Sequence, residues 1–444
     1  MKTALSTLLF LITPQLYGQW TEECATGNGF VVNFETFGNE LYATGFFTTV
    51  CGIPCNHLAK LGTNGWEAVG NGFSQPGHQL KTIGSELYGV RYESAIDSNW
   101  LYRFDGTNFN KLGAGVYLTT AVTGFSQTAN LYGICAYNGQ VVVSGEFDRI
   151  GSEPVSGIAS WNGTSWNALG SGLSGHINGT AAVMYPHDLC TFGTDLIVAG
   201  NFKLAGGQTV NGIARWDGTQ WHPLGQGFNH TVYGIAVYNG ELYAGGDFTQ
   251  SGSQVLGNIA KWNGNEWVSP GFSLFYDDSN YYSYVHSLKV LNDQLVISGG
   301  FDRVATDTQN LQCSAVISYN GTAIDTLNGG LTGKEAEALA IYQNRLYAGG
   351  GLNGSSYIAR YEPILSVEEK MPETISIHPN PTNGILHLEV ATENYTVLVY
   401  DATGRKILQL PAVELIDLSG RKAGLYTIEV QSESRPERVR ILLY

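Results

Sequence analysis

The chain has 444 residues, room for one large domain and a small one, and 43% of them are hydrophobic. Its formal net charge of −15 is spread along the sequence without an acidic or basic block, which argues against nucleic acid or an anionic membrane as partner. The 57 Gly, 25 Tyr, 18 Phe and 9 Trp point to short strands and tight turns, so the expected class is all-β.

Met1-Lys2, the apolar run over 4–16 and Tyr17-Gly18-Gln19 read as a secretory signal peptide over 1–18, leaving Gln19 as the new N-terminus. No later stretch reaches the roughly 20 apolar residues that span a bilayer, so an exported chain without a transmembrane segment is expected. All six cysteines follow that cleavage point, and an exported compartment permits disulfides. Cys51-Gly-Ile-Pro-Cys55 is suited to a small disulfide-closed loop. No second ligand pair has zinc spacing, so no metal is expected there.

From residue 41 a repeat governs the chain. The pattern L-Y-x-x-G-x-F recurs over 41–47, 141–147, 196–202, 242–248 and 295–301, with one change over 346–352. It fits poorly over 87–93, where Arg91 replaces the glycine. Ahead of this strand lie turns such as Asn138-Gly139 and Asn239-Gly240, which tolerate the positive φ of a two-residue hairpin. A second hairpin carries an aromatic pair five residues apart, over 161–166, 216–221 and 262–267, with weaker copies over 104–109 and 319–324. Seven starts at intervals of 46 to 55 residues match four-stranded propeller blades.

The last unit stops at Tyr361 without an outer strand. Trp20 precedes Leu41 by 21 residues, as Trp66 precedes Leu87 and Trp221 precedes Leu242. The N-terminal strand is therefore expected to complete the last blade and close the ring. Six blades plus a stray strand is the rival count. The glycine pairs Gly245-Gly246, Gly299-Gly300 and Gly349-Gly350, together with the aromatic pairs, resemble the kelch-type repeat. That resemblance covers about residues 20–361 and implies a seven-bladed β-propeller over 19–361. It specifies the fold and hardly the function.

Residues 362–374 read as a polar linker, and alternation over 386–390 and 396–400 points to a small β-sandwich over 375–444. The order Pro379-Asn380-Pro381-Thr382-Asn383-Gly384, then Asp401-x-x-Gly404, then Gly424-Leu425-Tyr426 resembles the type A C-terminal sorting domain of type IX secretion cargo in the Bacteroidota. The end, residues 440–444, lacks the terminal lysines often seen in that family. The resemblance implies the type IX machinery as partner, export across both membranes through the periplasm, and removal of the tail. Release or surface attachment would follow.

Length variation falls in the connections that share one face of the propeller, which is where such folds bind. The richest insertion, over 275–284, carries Tyr281 and Tyr282 among Asp and Asn, a composition suited to sugars. Nine positions before each L-Y landmark stand Val32, His78, Tyr132, His187, Tyr233, His286 and Glu337. These positions open the innermost strands and should ring one mouth of a central channel. The polar members are ligand-binding candidates, and imidazoles there would charge between about pH 5 and 8. Three histidines invite a metal, but Cα atoms about 9 Å from the axis exceed the roughly 6 Å that a His spans to zinc.

No nucleophile elbow, H-E-x-x-H or phosphate loop occurs, so no catalytic residue and no cofactor is assigned. Kelch-like propellers include copper oxidases, yet no His pair here forms a copper-ligand pattern. The expectation is an exported binding module for glycans or surface proteins. The alternative is a secreted propeller enzyme, a glycan hydrolase, lyase or oxidase, working on the variable face.

Overall fold

The computed structural model describes residues 19–25, 29–93, 98–118, 129–177, 184–277, 282–331, 335–352, 355–362, 375–378, 384–390, 395–401, 405–422, 424–431 and 437–443. The proposed signal peptide and nearly all of the proposed linker lie outside them. The chain divides into one unit up to Ile364 and a second from Leu365. Every regular element among the described residues is a strand.

In the first unit one antiparallel arrangement repeats. Val31–Phe37, Glu40–Gly45, Leu58–Gly62 and Gly65–Ala68 form a sheet in that order, and five further sheets follow the same chain order. Their first strands are Gly77–Ile83, Asn130–Tyr137, Tyr185–Phe192, Val232–Tyr238 and Tyr284–Leu291. A seventh sheet begins at Ala338–Tyr342, runs through Arg345–Leu352 and Ser355–Glu362, and takes Gln19–Ala25 as its outer strand. The seven first strands touch one another in cyclic order, the last against the first.

Local chemistry explains the strand ends. Asn138 and Gly139 have φ of 47° and 74°, the mirror-image turn whose twist suits a hairpin. In the outer hairpins Asn162, Asp217 and Asn263 each accept N–H groups from residues two and three further on, an Asx-turn that caps the bend. The paired tryptophans stand directly opposite each other, Trp161 with Trp166 and Trp216 with Trp221.

The glycine of the repeat has a steric cause. A Cβ on Gly145 would lie 1.9 Å from the Asn130 carbonyl oxygen, and one on Gly246 2.0 Å from that of Thr231. The first and second strands cross too closely there for two side chains. In the second sheet the residues are exchanged, with Gly77 opposite Arg91. Arg91 then lies over Tyr102 and Phe73, 4.5 and 5.3 Å from the ring centroids.

The connection between second and third strands folds into a short hairpin in five sheets, such as Leu204–Ala205 with Gln208–Thr209. The Phe ending each landmark, at 47, 147, 202, 248 and 301, is fully buried, beneath this added layer. One sequence expectation is corrected: Cys51 is disulfide-bonded but Cys55 is a free, buried thiol, so the two do not pair. Thr49–Val50 and Ile53–Pro54 pair as a hairpin with Cys51 at its tip, while the Cys55 N–H donates to the Thr48 carbonyl at its base. Tip and base of a hairpin cannot be bridged at disulfide distances.

The second unit holds a three-stranded sheet, Ile375–His378, Ile385–Val390 and Leu415–Asp417, and a four-stranded one. The latter runs Lys406–Leu410, Thr396–Tyr400, Gly424–Gln431, Glu437–Leu443. Leu386, Leu388, Val397, Val399, Ile416 and Ile428 share one apolar core.

Candidate functional site

Each of the first six inner strands carries a β-bulge near its start. The ladder skips one residue at each, namely Val32, His78, Tyr132, His187, Tyr233 and His286. These are the positions that the repeat alignment singled out. Glu337 takes the equivalent place before the seventh inner strand, its N–H donating to the Gly349 carbonyl. A bulge frees a side chain from the ladder and re-aims it.

Tyr132, His187, Tyr233, His286 and Glu337 meet in a pocket of about 240 Å³, with Val32 on its wall. Centroids of Tyr132 and His187 are 5.8 Å apart, of His187 and Tyr233 5.1 Å, and of Tyr233 and His286 6.1 Å. His286 Nδ1 lies 3.2 Å from the Glu337 carbonyl oxygen. The result is an arc of alternating Tyr and His rings that ends at a carboxyl group.

The structure does not bring every candidate here. Tyr282 is 91% exposed and does not line the pocket. Tyr281 lies outside the described residues, as does the side chain of His78.

Sequence reasoning missed the next layer. One residue after each bulge, Asn33 and Gln79 accept the backbone N–H groups of Leu80 and Ile134 on the following inner strand, at 3.0 and 2.8 Å. Asp188 does the same for Ile235 at 3.0 Å, and its other oxygen accepts from Leu189 at 2.8 Å. Inner strands have a free edge toward the axis, so these side chains satisfy N–H groups that no strand reaches. Three residues after the bulge stand Glu35, Lys81 and Lys289, close enough to influence one another's charge and that of Asp188. Tabulating the repeat columns one and three places after the bulge would have shown them.

Electrostatics separate the ring members. Burial, helped by the neighbouring His286, pushes His187 down to about 3, and burial also lowers His286. His187 is therefore neutral from pH 5 to 8, and His286 takes up a proton less readily than a free imidazole. Burial, with Glu335 nearby, raises Glu337 to about 7. Burial raises Asp188 and lowers Lys289, the latter also repelled by Lys81. Among the described residues no group of three or more His, Cys, Asp or Glu is arranged to hold a metal ion.

In the second unit, Asp401 Oδ1 accepts the Arg405 N–H at 3.1 Å, and Tyr426 donates to the Lys422 carbonyl at 2.7 Å. Gly384 has φ of 130° and packs against Ser419, where a Cβ would come within 2.8 Å. Gly424 has φ of 154°. Pro379, Asn380, Pro381, Asn383 and Gly404 lie outside the described residues.

Residues 376–443 match the family of secretion system C-terminal sorting domains. The protein carries a type IX sorting domain, and it is secreted or displayed on the cell surface. That domain makes the secretion machinery a partner. No protein of curated function matches the chain.

Among solved structures, the extracellular domain of BT4673 from B. thetaiotaomicron is similar at 12% identity and a TM-score of 0.47. The match covers 96% of this chain and 59% of that one, so the chain spans less than two thirds of its length. The β-propeller domain of the Trilobed protease from Pyrococcus furiosus is similar at 10% identity and a TM-score of 0.33, covering 68% of this chain and 98% of that one. Among the described residues no helix is long and apolar enough to cross a membrane.

Proposed function

We propose that residues 19–361 form a seven-bladed, kelch-like β-propeller that serves as a binding module, delivered by a removable sorting sandwich over 375–444 in a bacterium of the Bacteroidota. The signal peptide over 1–18 starts export, and residues 362–374 link the two parts. The cyclic contact of seven inner strands and the pairing of Gln19–Ala25 with Ser355–Glu362 support this count and closure.

The observation that carries the binding reading is the pocket. Five repeat-equivalent polar side chains converge there, each from a different inner strand or the residue before it. Aromatic rings with polar edges fit hydroxyl-rich ligands, because the faces cover C–H surface while the edges hydrogen-bond. Glycans, free or on surface proteins, are the partners proposed.

A glycan array and a metal assay on the purified mature protein test the reading. Glycan binding without bound metal is expected. Turnover of an array glycan, or a stoichiometric metal ion, would favour the enzyme alternative instead.

A further inference from the structure

We infer that the pocket takes an acidic sugar, its ring against the Tyr132–His187–Tyr233 arc and its carboxylate at the Lys289 ammonium. The inference rests on the reading of this pocket as the binding site and names the ligand class.

Lys289 lines the pocket from the sixth inner strand, three residues below the His286 bulge. Among the described residues its ammonium has no hydrogen-bond or ion-pair partner. The nearby charges do not supply one. Both Asp188 oxygens accept backbone N–H groups, and Glu35 Oε1 accepts that of Thr82 at 2.8 Å. Both carboxylates attract Lys289 without reaching bonding distance, and each holds a backbone N–H of the next inner strand, whereas Lys81 repels it.

A half-buried ammonium with no protein acceptor has only water as its partner, and an incoming carboxylate supplies both charge and oxygen lone pairs. A bare anion would meet that need and leave the aromatic arc uncovered. The volume of about 240 Å³ lies below the roughly 300–1,000 Å³ of pockets for drug-sized ligands. It suits one sugar unit, the acidic end of a chain rather than its middle.

Calorimetry with glucuronate, glucose, acetate and inorganic phosphate tests this on the full protein and on Lys289→Gln and Lys289→Arg. Glucuronate is expected to bind at least tenfold tighter than glucose. Lys289→Gln should erase that margin, and Lys289→Arg should keep it. Equal affinity for glucuronate and glucose overturns the acidic class and leaves the binding reading standing. Acetate or phosphate binding as tightly as glucuronate overturns the sugar. If no sugar of either kind binds, both readings fall. Thermal melting reports folding, and if Lys289→Gln does not fold, the glucuronate-to-glucose ratio of wild type and Lys289→Arg decides.

Discussion

Trp20 lies directly opposite Tyr361, with ring centroids 5.3 Å apart. Trp161 and Trp166 stand in the same relation at 5.2 Å. An N-terminal residue thus occupies the outer position of a sheet whose other strands come from the far end of the first unit. Removing residues 19–29 should therefore open the seam. Trp20 is partly buried, so its loss costs less than the about 3–5 kcal/mol of a fully buried Trp, but the whole strand ladder is lost with it. A large drop in melting temperature is expected, and an unchanged one would show that the ring does not depend on this strand.

The crossing of first and second strands makes a contrast between two glycines. Gly145→Ala puts a methyl 1.9 Å from a carbonyl oxygen, whereas Gly139→Ala meets nothing within 4 Å at a φ of 74°. The turn substitution should cost about 1–2 kcal/mol from left-handed strain alone. Gly145→Ala should cost more, since backbone has to move. Denaturant melts of the two variants check the order.

Much of this fold could be read from repeats, and the exceptions have physical causes. The glycine of the landmark is conspicuous because six crossings need it on the second strand. Arg91 looked like a failed repeat because the compensating Gly77 lies on the preceding strand, where no single-strand pattern would look. Cys51 and Cys55 misled because sequence spacing ignores which end of a hairpin each occupies. The bulge ring was legible as an aligned column. Asp188 and Lys289 were not noticed, because charged residues inside a channel break the rule that charges mark surfaces.

Glu337 gives the pocket a pH response. Its pKa, about 7 folded against an ordinary 4.5, means that the folded protein holds a proton that the unfolded chain has lost between those values. Stability should therefore fall as pH rises from about 4.5 to 7, then level off. Glu337→Gln should lessen that slope, to which the raised Asp188 also contributes, as read by melting temperature against pH. His187→Gln should leave it, because burial keeps that imidazole neutral there. An acidic ligand should also bind more weakly above pH 7, where Glu337 ionises.

The sorting domain predicts a transport phenotype separate from folding. Deleting residues 375–444 should leave the first unit folded and trapped in the periplasm. Cell fractionation with a folding probe checks both halves. Efficient delivery of the truncated chain to the surface would mean that the tail is not its address.

Hydrogen exchange of the full protein, with and without a glycan that binds it, tests the central claim most directly. Protection is expected at the bulges of the inner strands, around residues 131–135, 186–190, 232–236 and 285–289, and should disappear in Tyr132→Ala with Tyr233→Ala. Tyr282→Ala should not affect it. Protection confined to the Tyr-rich segment over 275–284, and insensitive to the tyrosine pair, would contradict the assignment of the pocket as the binding site.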